Sequence, residues 1–251
     1  MNSVAVSSIT FCLIFGGALV GMFLRNALPK DHLSADSKDV VKLGMGLVGT
    51  MTALVLGLLV ASAKESYDAQ GNALTQMSAK VVSLDRVLAH FGPETKESRQ
   101  LLRGDVVHIL DRLWPQKDSQ KVELDPTPGL SGALYDKIQE LPAKEDRQRL
   151  LQSYALSLAT DLGQARWLMF EESTTSVSKP LVIAVVFWLA SIFLSWGLFA
   201  PANGTVVATL FIAAISVSAA ILLVLEMYTP YSGIIRISSA PLHAALASLG
   251  Q

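Results

Sequence analysis

Apolar and polar positions along this chain repeat on two scales. On the long scale there are four apolar stretches, Val4–Leu24, Leu43–Ala63, Pro180–Ala200 and Gly204–Leu225, with no Asp, Glu, Lys or Arg inside any of them. At about 1.5 Å rise per residue, roughly 20 residues cross a hydrocarbon core of about 30 Å. The pattern predicts an all-α polytopic membrane protein with four transmembrane helices. It divides into a first hairpin over residues 1–63, a polar insert over 64–179, a second hairpin over 180–225 and a tail over 226–251. Only Pro201-Ala202-Asn203 separates the last two stretches, which forces an antiparallel pair.

On the short scale the insert carries helical stripes. Leu74, Met77, Val81, Leu84, Leu88 and Phe91 fall three and four apart. The second span is therefore expected to continue as a helix into water and to pack on a partner helix. Gly92-Pro93 ends it. A second helix, over about 94–114, puts Leu102, Val106, Ile109 and Leu113 on one face, and Pro115 closes it. The stretch 116–130, with Pro126, Pro128 and Gly129, reads as a loop before a short helix over about 131–141. A third long helix is expected from about Pro142. Its stripe is Leu151, Tyr154, Leu158, Leu162, Ala165 and Met169, and it continues toward Lys179-Pro180 and the third span. The two long heptad helices are expected to run antiparallel, as a stalk or bundle outside the membrane. The last apolar segment, Pro241–Leu249, is too short to span and either lies on the membrane surface or packs on the insert.

Composition narrows the function classes. Charged residues make up 16% of the 251, where a soluble domain carries about 25%, and the deficit sits in the four spans. A net charge of -1 gives no electrostatic footprint for nucleic acid. Cys12 is the single cysteine, so there is neither an intrachain disulfide nor a cysteine metal cluster, and inside the first span it reads as a small packing residue. His32, His90, His108 and His243 show no metal-ligand spacing. No nucleophile elbow, phosphate loop or paired carboxylates appear, so the chain reads as a non-enzyme that needs no cofactor. Before the first span stands only Met1-Asn2-Ser3, without a cation, and the span exceeds the ~7–15 residues of a signal-peptide core. It reads as a retained helix.

The spans contain the candidate functional residues. Gly44-Met45-Gly46-Leu47-Val48-Gly49 spells GxGxxG, but it opens a membrane span instead of following a strand. These glycines, with Gly17, Gly21 and Gly57, read as places where helices approach closely in lipid. Thr50, Thr52, Ser216 and Ser218 have two readings: a weakly polar pore lining, or hydroxyls bonded back to their own helix in tight packing. Glu226, at the edge of the fourth span, is either an ion site or a carboxylate solvated at the interface. Trp188, Trp196, Phe187 and Phe193 divide between interfacial anchors and bundle core. Four spans put both termini and the insert on one side. The connector holds Arg25, Lys30, Lys38 and Lys42, while the insert flanks and tail hold Lys64, Lys80, Arg166, Lys179 and Arg236. The positive-inside count does not choose between the two orientations.

The stretch Ser195-Trp196-Gly197-Leu198-Phe199-Ala200-Pro201-Ala202-Asn203, the Ser/Ala-rich helix after it, and Glu226-Met227-Tyr228-Thr229-Pro230-Tyr231-Ser232-Gly233-Ile234-Ile235-Arg236 carry a family resemblance. Together they resemble the bacterial bestrophin-like membrane family, with Pro201, Asn203, Pro230, Tyr231, Ser232, Gly233 and Arg236 as the motif positions. Glu226 stands where that family usually has Asp, and Tyr231 where Phe is common. The resemblance implies a four-span plan with a central helical insert, and a remote relation to bestrophins, which are pentameric anion channels. It implies an inner-membrane protein with insert and termini in the cytoplasm. The acidic run of animal bestrophins is missing, so calcium gating is not implied.

The combined expectation is a homo-oligomer in membrane lipid that forms a passive, anion-type pore lined by spans two and four. The absence of charge inside the spans favours a passive pore over a pump. Two other readings stay open. One is a non-conducting scaffold or sensor whose insert recruits a protein partner. The other is a subunit of a motor-type proton channel, which also has a large insert between spans two and three.

Overall fold

The computed structural model describes residues 2–29, 34–115, 129–174 and 178–250. Every regular element among them is helical: α1 (Ser3–Ala27), α2 (Ala35–Phe91), α3 (Lys96–Leu113), α4 (Gly129–Gln139), α5 (Asp146–Thr174), α6 (Lys179–Phe199), α7 (Gly204–Met227) and α8 (Ala240–Ser248). A single 3-10 turn, Pro93–Thr95, joins α2 to α3. Four helices, α1, α2, α6 and α7, are long and apolar enough to cross a membrane. Lys30, His32 and most of the expected loop (116–128) lie outside the described residues.

The helix ends follow from local chemistry. The Asn2 side chain accepts from the Val4 N–H at 3.2 Å and starts α1. Leu28, forced extended by Pro29, ends it. α2 begins at Ala35, inside what the sequence read as connector, and runs unbroken to Phe91, so the expected continuation of the second span is present. It stops at Gly92, whose φ of 141° and ψ of -179° belong almost exclusively to glycine. The third long helix does not continue into the third span. Ser178 leaves helical geometry with ψ at 97°, and Pro180 sits in the first turn of α6, the one part of a helix that tolerates proline.

The chain forms two compact units, Met1–Ser66 with Ser176–Tyr228, and Tyr67–Thr175 with Thr229–Gln251. In the first, α1 lies along α6 and also meets α7, around Ile14, Ala18, Phe193 and Ala214. The approach of α1 to α6 is set by missing side chains. A Cβ on Gly21 would stand 2.1 Å from the Leu194 carbonyl oxygen, and one on Gly197 2.0 Å from that of Ala18. Ser7 Oγ donates to the Ser218 carbonyl at 2.8 Å, which ties α1 to α7. Such a bond in lipid contributes about 0.6 kcal/mol. Arg25, at the end of α1, donates to the Ala200 carbonyl and caps α6.

In the second unit all six residues of the α2 stripe are buried. α2 and α5 run antiparallel there. The Gln148 side chain donates to the Phe91 carbonyl at 3.3 Å, while Lys80 pairs with Asp161 at 3.0 Å. The α5 stripe needs one correction: Tyr154 is 56% exposed and Ala155 is buried in its place. With Ala155 the stripe steps by four and three in strict alternation, whereas Tyr154 breaks that spacing, so the buried face keeps the regular heptad. α8 packs on α3, with Leu242, Ala245 and Leu249 in the same core as Leu74 and Leu102.

Candidate functional site

The residues singled out in the spans fall into three groups. The first is packed inside the chain. A Cβ on Gly17 would meet the Ala190 carbonyl oxygen at 3.0 Å, so Gly17 and Gly21 both face α6. Ser218 is buried against α1 and does not open onto free space. Thr52 is buried, its hydroxyl bonded back to the Val48 carbonyl at 2.7 Å. Glu226 is buried at the end of α7, which replaces the reading of a carboxylate solvated at the interface.

The second group builds loops. Asn203 caps α7, accepting from the Val206 N–H at 2.9 Å, and Pro201 accepts from the Asn203 N–H at 2.9 Å. The tail motif folds into a compact turn. The Ile237 N–H donates to the Pro230 carbonyl at 2.8 Å, the Ser232 N–H to Thr229 at 3.0 Å, and Arg236 Nε to Gly233 at 2.8 Å. Gly233 supplies the positive φ of 92°. Tyr231 is buried edge-on to Trp114, with ring centroids 5.7 Å apart, and Trp114 Nε1 donates to the Ile237 carbonyl at 3.0 Å. The most recognisable stretch of the sequence thus clasps the tail to the end of α3. Trp114 was not legible as part of it.

The third group is open. In α2, a Cβ on Gly44, Gly46 or Gly57 would meet nothing within 4 Å, and one on Gly49 would only touch Ile192 at 4.0 Å. Within one protomer these glycines do not serve the close packing read from the sequence. Thr50 is exposed, with Oγ1 donating to the Gly46 carbonyl at 3.0 Å. Ser216 on α7 is likewise exposed and bonded back to Ile212 at 2.9 Å. Leu43, Leu47, Thr50, Leu54 and Gly57, three and four apart, are all exposed, so they share one uncovered face. Only 11% of the apolar stretch of α2 is buried, against 22% for α1 and α7 and 33% for α6. Cys12 is also exposed on α1, not packed as expected. Of the aromatic set, Phe193 is core, while Phe187 and Trp196 point outward.

Outside the membrane stretches, the second unit holds two buried carboxylates of opposite character. Asp85 receives two bonds from Arg99, at 2.7 and 2.8 Å, and one from the Gly250 N–H at 3.2 Å. Burial pushes its carboxyl up, but the Arg99 bonds, the Gly250 N–H and the Arg99 charge outweigh it and hold it below the ordinary 3.8. Asp105 has no hydrogen bond to Oδ1, and burial lifts it to about 6 against the opposing charge of Arg166. No cluster of three His, Cys, Asp or Glu suited to a metal ion occurs among the described residues.

Four apolar helices and a bundle of amphipathic ones define an all-helical, multi-pass membrane protein whose second span is largely uncovered within its own chain. The family model described as a bestrophin-like domain matches residues 12–242, and the chain belongs to that bestrophin-like family. Two solved structures of a bacterial bestrophin homologue from Klebsiella pneumoniae, each a single-substitution variant, share the fold. One has a TM-score of 0.70 at 12% identity, covering 99% of this chain and 97% of the other. The second has a TM-score of 0.66 at 12% identity, covering 96% of each. No curated protein matches the chain.

Proposed function

We propose that copies of this chain assemble in the membrane around α2 and form a passive ion pore of the anion-channel type. The observation that carries the reading is the uncovered α2 face of Leu43, Leu47, Thr50, Leu54 and Gly57. A protomer that leaves its second span open in this way leaves room for neighbours of the same kind. On that face Leu47 and Leu54 would form apolar constrictions, of the kind that gate by dewetting, with the Thr50 hydroxyl between them. No charge lies inside the apolar stretch, which suits passive conduction over coupled transport. Membership of the bestrophin-like family supports the same reading, with the helical insert and both termini in the cytoplasm of a bacterial cell. Such a protein is a conduit and not an enzyme.

The test is current across a planar bilayer containing the purified full-length chain under a chloride gradient. Discrete current steps with a reversal potential following chloride are expected. Silence across several salts, with a confirmed oligomer in the bilayer, contradicts the proposal.

A further inference from the structure

We propose that the cleft between α2 and α6 in the first unit binds an anionic phospholipid, with one acyl chain in the cleft and the phosphate at Lys38 and Lys42. The cleft has a volume of about 650 Å³. It starts at Lys38 and Lys42, passes the small residues Gly49 and Ala53, and ends near Leu56, with Phe193 of α6 on its far wall. Gly46 borders this open space, where a Cβ would meet nothing within 4 Å.

Its length fits the occupant. From Lys42 to Leu56 the helix rises about 21 Å, so the cleft covers at least one leaflet of a core about 30 Å thick. One acyl chain laid along it would meet Gly49, Ala53 and Leu56 in van der Waals contact.

Charge selects the headgroup. Among the described residues, the charged ones that line the cleft are the two lysines, and both sit at one end, where a headgroup would lie. Asp39 pairs with Lys42 at 3.8 Å but is not part of the wall, and that exposed pair is weak enough for a phosphate to replace it. Two ammonium groups at headgroup level draw a phosphate through charge-assisted hydrogen bonds, on either face of the membrane. The site stands whether or not the chain conducts.

Native mass spectrometry of the detergent-purified, delipidated full chain tests it. The probes are phosphatidylglycerol and phosphatidylcholine with identical acyl chains, and inorganic phosphate alone. Phosphatidylglycerol is expected to bind about tenfold better than phosphatidylcholine, and inorganic phosphate not to be retained. Lys38→Gln with Lys42→Gln is expected to bring the two lipids to parity, and circular dichroism is expected to show the helical fold intact, since Lys42 is exposed and Lys38 only partly buried. Ala53→Leu with Gly49→Leu is expected to reduce both lipids. Absence of bound phosphatidylglycerol, or a headgroup preference that survives loss of both lysines, overturns the proposal. So does efficient crosslinking of Gly49→Cys, in a Cys12→Ser background, to the same position of a second copy, because a neighbouring chain would then fill the cleft.

Discussion

Gly197→Val is expected to prevent the first unit from folding. Its Cβ would stand 2.0 Å from the Ala18 carbonyl oxygen and 3.1 Å from the Ala18 Cα. Those are backbone atoms of a neighbouring helix, so no side chain can rotate away, and α1 and α6 must separate. Overpacking a core ordinarily costs about 1–3 kcal/mol, and separating the closest helix pair of the unit places this change at or above the upper end. Gly21→Val meets the Leu194 carbonyl oxygen at 2.1 Å and is expected to behave alike. Gly44→Val and Gly57→Val meet nothing within 4 Å and are expected to leave protomer stability within about 0.5 kcal/mol. Recovery of monodisperse protein and its unfolding in denaturing detergent compare the four. A Gly197→Val chain as stable as the parent would mean that α1 and α6 do not need this approach.

The second large effect is expected at Arg99. Removing one partner of a buried ion pair costs about 3–5 kcal/mol, because the remaining charge is left without compensation. Here the two partners are unequal: the Asp85 side chain is 4% exposed and that of Arg99 23%. Arg99→Ala strands the more buried charge and is expected to cost more than Asp85→Ala, which leaves a guanidinium that can still reach water. Denaturant titration of the full chain, followed by the fluorescence of Trp114 with Trp167, Trp188 and Trp196 replaced by phenylalanine, measures the difference. Equal losses would contradict the asymmetry.

The pH dependence follows from the same two carboxylates. Asp85 titrates below its ordinary 3.8 when folded, so its contribution is complete above that value and is lost as pH falls through the folded value. Asp105 has the opposite sign. Between 3.8 and about 6 the unfolded chain ionises first, so stability falls as pH rises through that window and levels off above it.

Some of this was readable in the sequence, for reasons that separate cleanly. The spans were legible because burial in hydrocarbon is a property of composition over about 20 residues. The α2 stripe from Leu74 to Phe91 was legible because a helix repeats its own face. The glycine contacts were not. Gly44-x-Gly46-x-x-Gly49 had the stronger pattern, yet Gly197, with no partner glycine four residues away, makes the close approach to Ala18. What decides is where the other backbone runs, and no local signal encodes that. The Asp85–Arg99 pair was hidden for a similar reason, since it forms only after the Gly92-Pro93 turn folds α3 back on α2. The break before α6 was encoded in Pro180, but the stripe of α5 suggested continuity across it.

The pore face itself is a claim about α2, and cysteine accessibility during current recording tests it most directly. In a Cys12→Ser background, Thr50→Cys on the open face and Ser218→Cys in the buried contact with α1 are compared under a water-soluble, charged thiol reagent. Rapid, irreversible change of the current is expected for Thr50→Cys and none for Ser218→Cys. Block at Ser218→Cys with Thr50→Cys unaffected would contradict it and move the pore away from α2.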